Sequence, residues 1–516
     1  MRKTFFITTA IDYTNGAPHI GHAYEKVLAD AIARHQRLSA RDVFFLTGVD
    51  QHGQKVQQSA QKRGIEPAAF VAEITALFLE LWNKLDVRYD AWAATIEDLH
   101  KKCVQGMLQR LWDEGKFYKA AQSGYYSVRQ EQFLTEKERG PDGEFGDEWG
   151  EVVLIEEENY YFKLAEHRQW LLDLIDTRSQ AANPIVVPDF RVAELRNAVE
   201  KISGDLCISR PKSRLTWGIE LPFDPAFVTY VWFDALSNYI SFAGYDASPT
   251  ADLHLFKSRW PAVHVIGKDI LAPPHGIYWL IMLHALGFTD DEMPTLLVHG
   301  WWNIAGAKMS KSLGNSVAPD ALVERYGCAA VRYYLLSDIA TGRDADFSSE
   351  RLEQRYNNEL ANGLGNLLNR TLSMAARYRA GVLRRLESPL TGFVREKTTA
   401  YDTAMAEYQV QTAIEAVMDI VARCNAYVEE TAPWKLAKDP SQADKLDEVL
   451  YSLSESLRIV SILMTPIIPS EAESMRSQLN WRDSVSMEAT AWGLLPDGHQ
   501  LGGPVPLFPR IEGPRI

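Results

Sequence analysis

An apolar run at the start of the chain (Phe5, Phe6, Ile7) ends in a turn rich in breakers (Asn15, Gly16, Pro18), and helical spacing then runs through Val27, Leu28, Ala31, Ile32 and Leu38. Val43 to Leu46 reads as a second buried strand, closing on Thr47-Gly48-Val49-Asp50-Gln51-His52-Gly53. A helical stripe follows (Phe70, Ile74, Leu77, Phe78, Leu81, Trp82, Leu85), then a strand-like Tyr89 to Ile96 and a helix through Leu108, Leu111 and Trp112. Apolar strands alternating with helices predict an α/β fold with a doubly wound, Rossmann-like parallel sheet. In such sheets ligands bind beyond the carboxyl ends of the strands, where the turn after Ile7 and Asp50 both lie.

The pattern changes near Phe117. Residues 136–158 are dense in glycine and acidic side chains (Glu136, Glu138, Asp142, Glu144, Asp147, Glu148, Glu156 to Glu158) and carry no helical signal. We read 117–220 as a module inserted into the sheet domain, its acidic run a solvated surface. Strand–helix alternation resumes over Val228 to Ser241, and Val263 to Ile266 is a buried strand leading into Gly267-Lys268-Asp269 and a helix with Tyr278, Trp279, Met282 and Leu283. Beyond about residue 350 strand signals stop. Tyr408, Ile414, Val417, Val421, Cys424 and Val428 share one helical face, and Leu446, Val449, Leu450, Leu453, Leu457 and Val460 share another, as in an α-helical bundle. The Pro- and Gly-rich end, 500–516, is expected to lie extended on the surface.

Composition adds bounds. At 516 residues the chain is too long for one core. A net charge of −14 argues against a general nucleic-acid coat, though not against a local basic face. Four scattered cysteines (Cys103, Cys207, Cys328, Cys424) without a CxxC read as reduced thiols. No apolar run reaches the roughly 18–20 residues of a membrane span, and no signal-peptide pattern opens the chain, so a cytoplasmic location is expected.

Two short loops carry the candidate chemistry. In the first, His19-Ile20-Gly21-His22 sits where a strand, a loop and a helix start meet, a geometry that places backbone N–H groups and two imidazoles along a polyphosphate. In the second, Lys308 and Lys311 lie three apart, each beside a serine, within a Gly-bounded segment from His299 to Asn315. Lysine is a mobile point charge suited to phosphates that change charge and position during a reaction. A lone KxxK is usually a solvated loop; paired with the upstream histidines it is not.

HIGH (His19 to His22) and KMSKS (Lys308 to Ser312) are the two signatures of class I aminoacyl-tRNA synthetases. AIDYTNGAPHIGHAYE, FLTGVDQHGQK, YVWFDALSNYI, VIGKDI and HGWWNIAGAKMSKSLGN resemble the methionyl-tRNA synthetase family in motif order over nearly the whole chain. The resemblance implies activation of L-methionine by ATP, with Mg²⁺, followed by transfer to tRNA(Met), initiator and elongator. It assigns His19 and His22 to the phosphates, with Lys308 and Lys311 on the β- and γ-phosphates. Gly21, Glu25, Gly267, Lys268 and His299 would border the nucleotide. Asp50 would bind the α-ammonium, Asp269 would border the adenylate on its methionine side, and Ile11, Tyr13, Trp232, Ala235, Leu236, Tyr239 and His275 would line the side-chain pocket. Asn366, Arg370 and Trp434 would read the anticodon. Asn366 and Arg370, at i and i+4, share one helix face, and donors beside an indole suit splayed bases.

The implied domains are 1–116 with 221–300 (catalytic), 117–220 (inserted module), 301–350 (lysine loop and stem contact) and 351–516 (helical, anticodon-binding). Many relatives carry a zinc knuckle in the inserted module. Here Ser127 and Gln130 stand where cysteines would, so a metal-free knuckle and no metal ligands are expected. Two prolines precede His275, one residue more than is usual in the family, and Gln51 stands where an acidic residue is common. The appended dimerising module of some relatives has no counterpart, so a monomer is expected. The alternatives are a synthetase for another apolar amino acid, against which the short insert argues, and a catalytically silent tRNA-binding paralogue, against which the intact loops argue.

Overall fold

The computed structural model describes residues 4–127, 132–134, 138–140, 142–179, 181–304, 306–308 and 317–509. Its centre is a parallel sheet. Strand β1 (Phe5–Thr9), continued after a break at Ala10 and Ile11 by β2 (Asp12–Tyr13), pairs on one side with β3 (Val43–Asp50), which in turn pairs with β4 (Ala91–Ala94). On its other side β1 pairs with Ala262–Gly267, then come Thr295–His299 and the two-residue Val186–Val187. The chain thus leaves β1 toward opposite edges, which makes the carboxyl end of β1 a topological switch point.

The strands read as continuous apolar runs because both sheet faces are covered. Phe5, Ile7, Phe45, Val49, Val263 and Val265 pack into a core on one face, while Phe6, Phe44, Leu46, Ala262 and Ile266 pack into a second core on the other. This is the two-residue period of a strand read across a sheet buried twice. The first core runs on without a break into the helical half, through helix α1 (Ile20–Leu38) and the helix Cys328–Ser337.

In the inserted range, Phe117–Ser127 pairs antiparallel with Val152–Phe162, from Phe117↔Phe162 to Ser127↔Val152. The acidic run therefore ends in a strand rather than a loop. Glu156 and Glu158 point outward, while the half-buried Glu157 pairs with Arg214 at 3.2 Å. Val186–Val187, which also falls within 117–220, belongs to the main sheet, with Leu296↔Val186 and Leu297↔Val187. Two residues are too few to register as a strand in a hydrophobic pattern. The helical half comprises Ser349–Arg355, a wider π-type turn over Tyr356–Gly365, and then Asn366–Arg379, Thr391–Ala406, Val410–Thr431, Ala443–Leu463 and Pro469–Gln478. From 500 to 509 the chain runs extended along it, with Leu501 and Phe508 buried and Gln500 bridging to Val382; 510–516 lie outside the described residues.

Candidate active site

Two cavities adjoin at the switch point and share Ala10, Ile11, Tyr13 and Ile270. The first, about 260 Å³, is bordered by His19, Gly21, His22, Glu25, Gly267, Asp269 and His299, together with Asp12, Gly300, Trp301 and Trp302. The second, about 290 Å³, is bordered by Ile11, Tyr13, Asp50, Trp232, Ala235, Leu236, Tyr239 and His275, together with Lys55 and Tyr230.

The first cavity opens on the start of α1, where the cap is unusual. His19 is the N-cap, and its Nδ1 accepts the Gly21 N–H at 3.1 Å. His22 Nδ1 accepts the His19 N–H at 3.1 Å. Two of the four orphan donors of the helix end are thereby satisfied by imidazoles, in the place of the usual Ser and Glu. An acceptor nitrogen is unprotonated, so in each neutral ring the proton sits on Nε2. The rings stack with centroids 3.7 Å apart. A Cβ on residue 21 would stand 2.9 Å from the Cε1 of His19, so glycine here serves the imidazole as well as any ligand. Behind the rings, Glu25 accepts from Lys26 Nζ (3.0 Å) and contacts His299 Nε2 (3.0 Å), while His299 Nδ1 donates to the Gly300 carbonyl (2.8 Å).

Lys268 is not on either cavity wall. Its ammonium pairs with Asp344 at 2.5 Å and lies 3.9 Å from the centre of the Trp301 ring. Trp301 Nε1 in turn donates to Asp269 Oδ1 at 3.1 Å, so Lys268 and Asp269 are joined through one indole at the rim. Lys308 is described only in its backbone, in a short strand opposite Asn303, and Lys311 lies outside the described residues. The same holds for Gln130 of the predicted knuckle; Ser127 Oγ donates to the Trp149 carbonyl at 2.5 Å.

The second cavity is built by two short helices, Val231–Leu236 and Asn238–Ser241, which bring Trp232, Ala235, Leu236 and Tyr239 to one face by their spacing of three, four and seven. Its inner end is uncharged. His275 Nδ1 donates to the Ile270 carbonyl (2.9 Å), which leaves Nε2 to accept the Tyr239 hydroxyl (2.7 Å), and burial brings the imidazole down to about 4. Beneath it, His264 accepts from Trp279 Nε1 (3.1 Å) and hydrogen-bonds Thr8 Oγ1 (2.7 Å), and burial holds its pKa well below the ordinary histidine range. Asp50 closes the rim from the end of β3. Beside it, His52 and His100 grip the two oxygens of the buried Asp234 at 2.7 and 2.8 Å; burial raises that carboxyl, but the two imidazoles outweigh it and hold it at about 2. This link ties the β3 end to the helix that carries Trp232. No local pattern reveals it, because its members lie 48 and 134 residues apart along the chain.

In the helical half, Asn366 is exposed, Arg370 pairs with Glu429 at 2.7 Å and stands 5.9 Å from the Trp434 ring, and that ring is about a third exposed.

A parallel sheet split at a switch point, imidazoles capping the helix beside it and a helical half fused to the same core define a class I aminoacyl-tRNA synthetase. The family model described as tRNA synthetases class I (M) matches residues 5–144 and 149–372, and that of the anticodon binding domain of methionyl tRNA ligase matches 379–515. The chain belongs to the methionine–tRNA ligase family. It is 42% identical to the Deinococcus radiodurans methionine–tRNA ligase, over 99% of this chain and 75% of that one, and 40% identical to the Bacillus subtilis enzyme, over 99% and 78%. Mycobacterium tuberculosis methionyl-tRNA synthetase, solved in complex with methionyl-adenylate, superposes with a TM-score of 0.91 at 35% identity, covering 98% of this chain and all of that one.

Proposed function

We propose that this chain joins L-methionine to tRNA(Met), initiator and elongator alike, using the two adjoining cavities for the two halves of a methionyl-adenylate. The observation that carries the reading is their contact: an aromatic cavity, uncharged at its inner end and bordered also by Asp50 and Lys55, opens onto a cavity lined by the His19 and His22 imidazoles. A methionine carboxylate oxygen attacks the α-phosphorus of ATP, the bond from that phosphorus to the bridging oxygen breaks, and pyrophosphate leaves. The 2′-hydroxyl of the terminal adenosine of tRNA then attacks the acyl carbon and releases AMP. His19 and His22 donate to the phosphates, Lys308 and Lys311 hold the β- and γ-phosphates, and Asp50 pairs with the α-ammonium. No covalent bond to the protein is formed, so positioning and charge stabilisation carry the rate.

The thioether offers no charge to read. The inner end of its pocket is correspondingly uncharged, and sulfur–aromatic contacts with Trp232, Tyr13 and Tyr239 contribute about 0.3–1.5 kcal/mol each. Charged side chains are rejected there by desolvation. Among the described residues no group of three or more His, Cys, Asp or Glu could hold a metal ion. Our reading is that Mg²⁺ enters with ATP as part of the substrate, as it commonly does with nucleotide phosphates. No helix among the described residues is long and apolar enough to cross a membrane; a cytoplasmic monomer is our reading.

The test is ATP–pyrophosphate exchange across the amino acids, with methionine expected to stimulate it far above the rest; stimulation by another apolar amino acid instead would overturn the assignment. In the same assay Asp50→Asn is expected to raise the KM for methionine with little change in kcat. A hydrogen bond to a charged group is worth about 1.5–3 kcal/mol, roughly a 10- to 150-fold rise. A KM within twofold of wild type would remove Asp50 from the ammonium site.

For the helical half, Trp434→Ala is expected to raise the KM for tRNA in aminoacylation and to leave exchange unaltered. Base–aromatic stacking contributes about 1–3 kcal/mol, roughly 5- to 150-fold in KM. An equal loss in exchange would mean that the indole supports the fold rather than the anticodon.

A further inference from the structure

The first cavity holds a carboxylate that the activation reading leaves without a task. Asp12 is 4% exposed and lies on the cavity wall with His19 and His22. Its Oδ1 accepts from Lys26 Nζ at 2.6 Å and stands 4.0 Å from His22 Nε2. Its Oδ2 is shut away from solvent and has no hydrogen-bond partner. Lys26, wholly buried, cannot supply one: its three donors are taken by Asp12 Oδ1, the Ala10 carbonyl (2.9 Å) and Glu25 Oε1 (3.0 Å). A buried, unpartnered carboxylate oxygen is costly until a proton or a donor reaches it.

The neighbouring groups decide where a proton can go. Acting on Asp12 are Lys26, Glu25 and His22 from α1 and, from the second cavity, Tyr239, with His299 behind Glu25. Burial holds the Tyr239 hydroxyl neutral, well above the ordinary tyrosine range. Glu25 is already engaged by Lys26 and His299. His19 and His22 each use Nδ1 to accept a backbone N–H, so a second proton on either ring would break the cap of α1. Oδ2 of Asp12 is the open position. While Asp12 is ionised, its charge 4.0 Å from His22 Nε2 draws that N–H toward itself and away from a bound phosphate without a hydrogen bond forming, and it sets a negative charge against a cavity meant for a polyanion. Once it is protonated, both oppositions vanish.

We propose that Asp12 takes up a proton when ATP binds, releasing His22 Nε2–H from a competing carboxylate so that it donates to phosphate; Asp12 is thus a positioning residue acting through His22. Burial, opposed by Lys26 and reinforced by Glu25, lifts the Asp12 carboxyl to about 7, which makes this uptake accessible near neutral pH. Placing a carboxylic acid, kept neutral by its surroundings, beside a developing charge is a known device of enzyme sites.

The inference rests on the activation reading above and is tested in the same exchange assay. Wild type is expected to lose rate as the pH rises and Asp12 ionises, whereas Asp12→Asn, a fixed neutral isostere, lacks that decline. The ratio of variant to wild-type rate should then climb roughly tenfold per pH unit above the wild-type midpoint. A ratio constant across the range overturns the proposal, whatever its value. Calorimetry of Mg·ATP binding to the unaltered protein, in buffers of different ionisation enthalpy at about pH 7.5, should show uptake of up to one proton per site; zero uptake overturns it equally, and this arm does not depend on the variant folding. Failure of wild type to exchange at any pH would sink the activation reading instead.

Discussion

His22→Ala is expected to lower the methionine-dependent exchange rate by about 10²–10³-fold, the cost of removing one preorganised donor to a developing oxyanion. The loss should fall on kcat more than on the KM for methionine, because the ring borders the first cavity while the second cavity, proposed to take the thioether, lies beyond Tyr13. It should not reflect unfolding. The ring is a quarter exposed, and what the fold loses is one cap acceptor, worth about 0.5–2 kcal/mol. His22→Asn separates the two roles, since its short amide oxygen can still accept the His19 N–H while the Nε2 donor is gone. If the asparagine variant matches wild type, the donor carries nothing. If both variants fall together, the imidazole is needed for its proton and not for its cap.

The same residue shows what the sequence made legible. The HIGH stretch, the D-x-H-G turn and the YVWFDALSNYI segment hold residues that border the two cavities; local patterning places the turns and helix starts, and the family resemblance picks out the residues. The sheet and the helical half are equally legible, since long apolar periods survive without tertiary context. Three things are not. Lys26 follows Glu25 between the apolar Tyr24 and Val27 and reads as a second polar slot until the structure shows it wholly buried on Asp12. Lys268 sits between Gly267 and Asp269, which border the first cavity, yet its own charge is taken by Asp344, 76 residues on. The chain's return to the main sheet at Val186–Val187 is too short to leave any pattern. For Lys268 and Val186–Val187 the deciding partner lies 76 and 110 residues away, outside any local window; Asp12 is only 14 residues from Lys26, but on the other side of a turn whose closure the pattern does not show.

Distance along the chain also governs the largest expected effect on stability, that of Arg332→Met. Arg332 is wholly buried at the seam between the sheet domain and the helical half. Its guanidinium donates to the carbonyls of Pro466 and Ile467 (both 2.9 Å), to that of Leu85 (2.9 Å) and to Asp30 Oδ2 on α1 (2.7 Å). Asp30, itself wholly buried, also accepts from Arg34 Nε (2.7 Å) and the Arg88 N–H (2.9 Å). Methionine fills much of the volume but strands three carbonyls and leaves Asp30 short of one cation. Breaking a buried pair from one side costs about 3–5 kcal/mol. Arg325, half exposed and paired with Glu353 at 2.9 Å, provides the contrast: Arg325→Met should cost no more than about 1 kcal/mol, as surface pairs do. Urea unfolding followed by far-UV circular dichroism would compare the two midpoints. Equal shifts would mean that the seam is held by its apolar packing alone. A large shift confined to Arg332→Met would make this one guanidinium the fastening between the helix that begins at His19 and the half of the molecule that carries Trp434, so that the end of α1 is set by both.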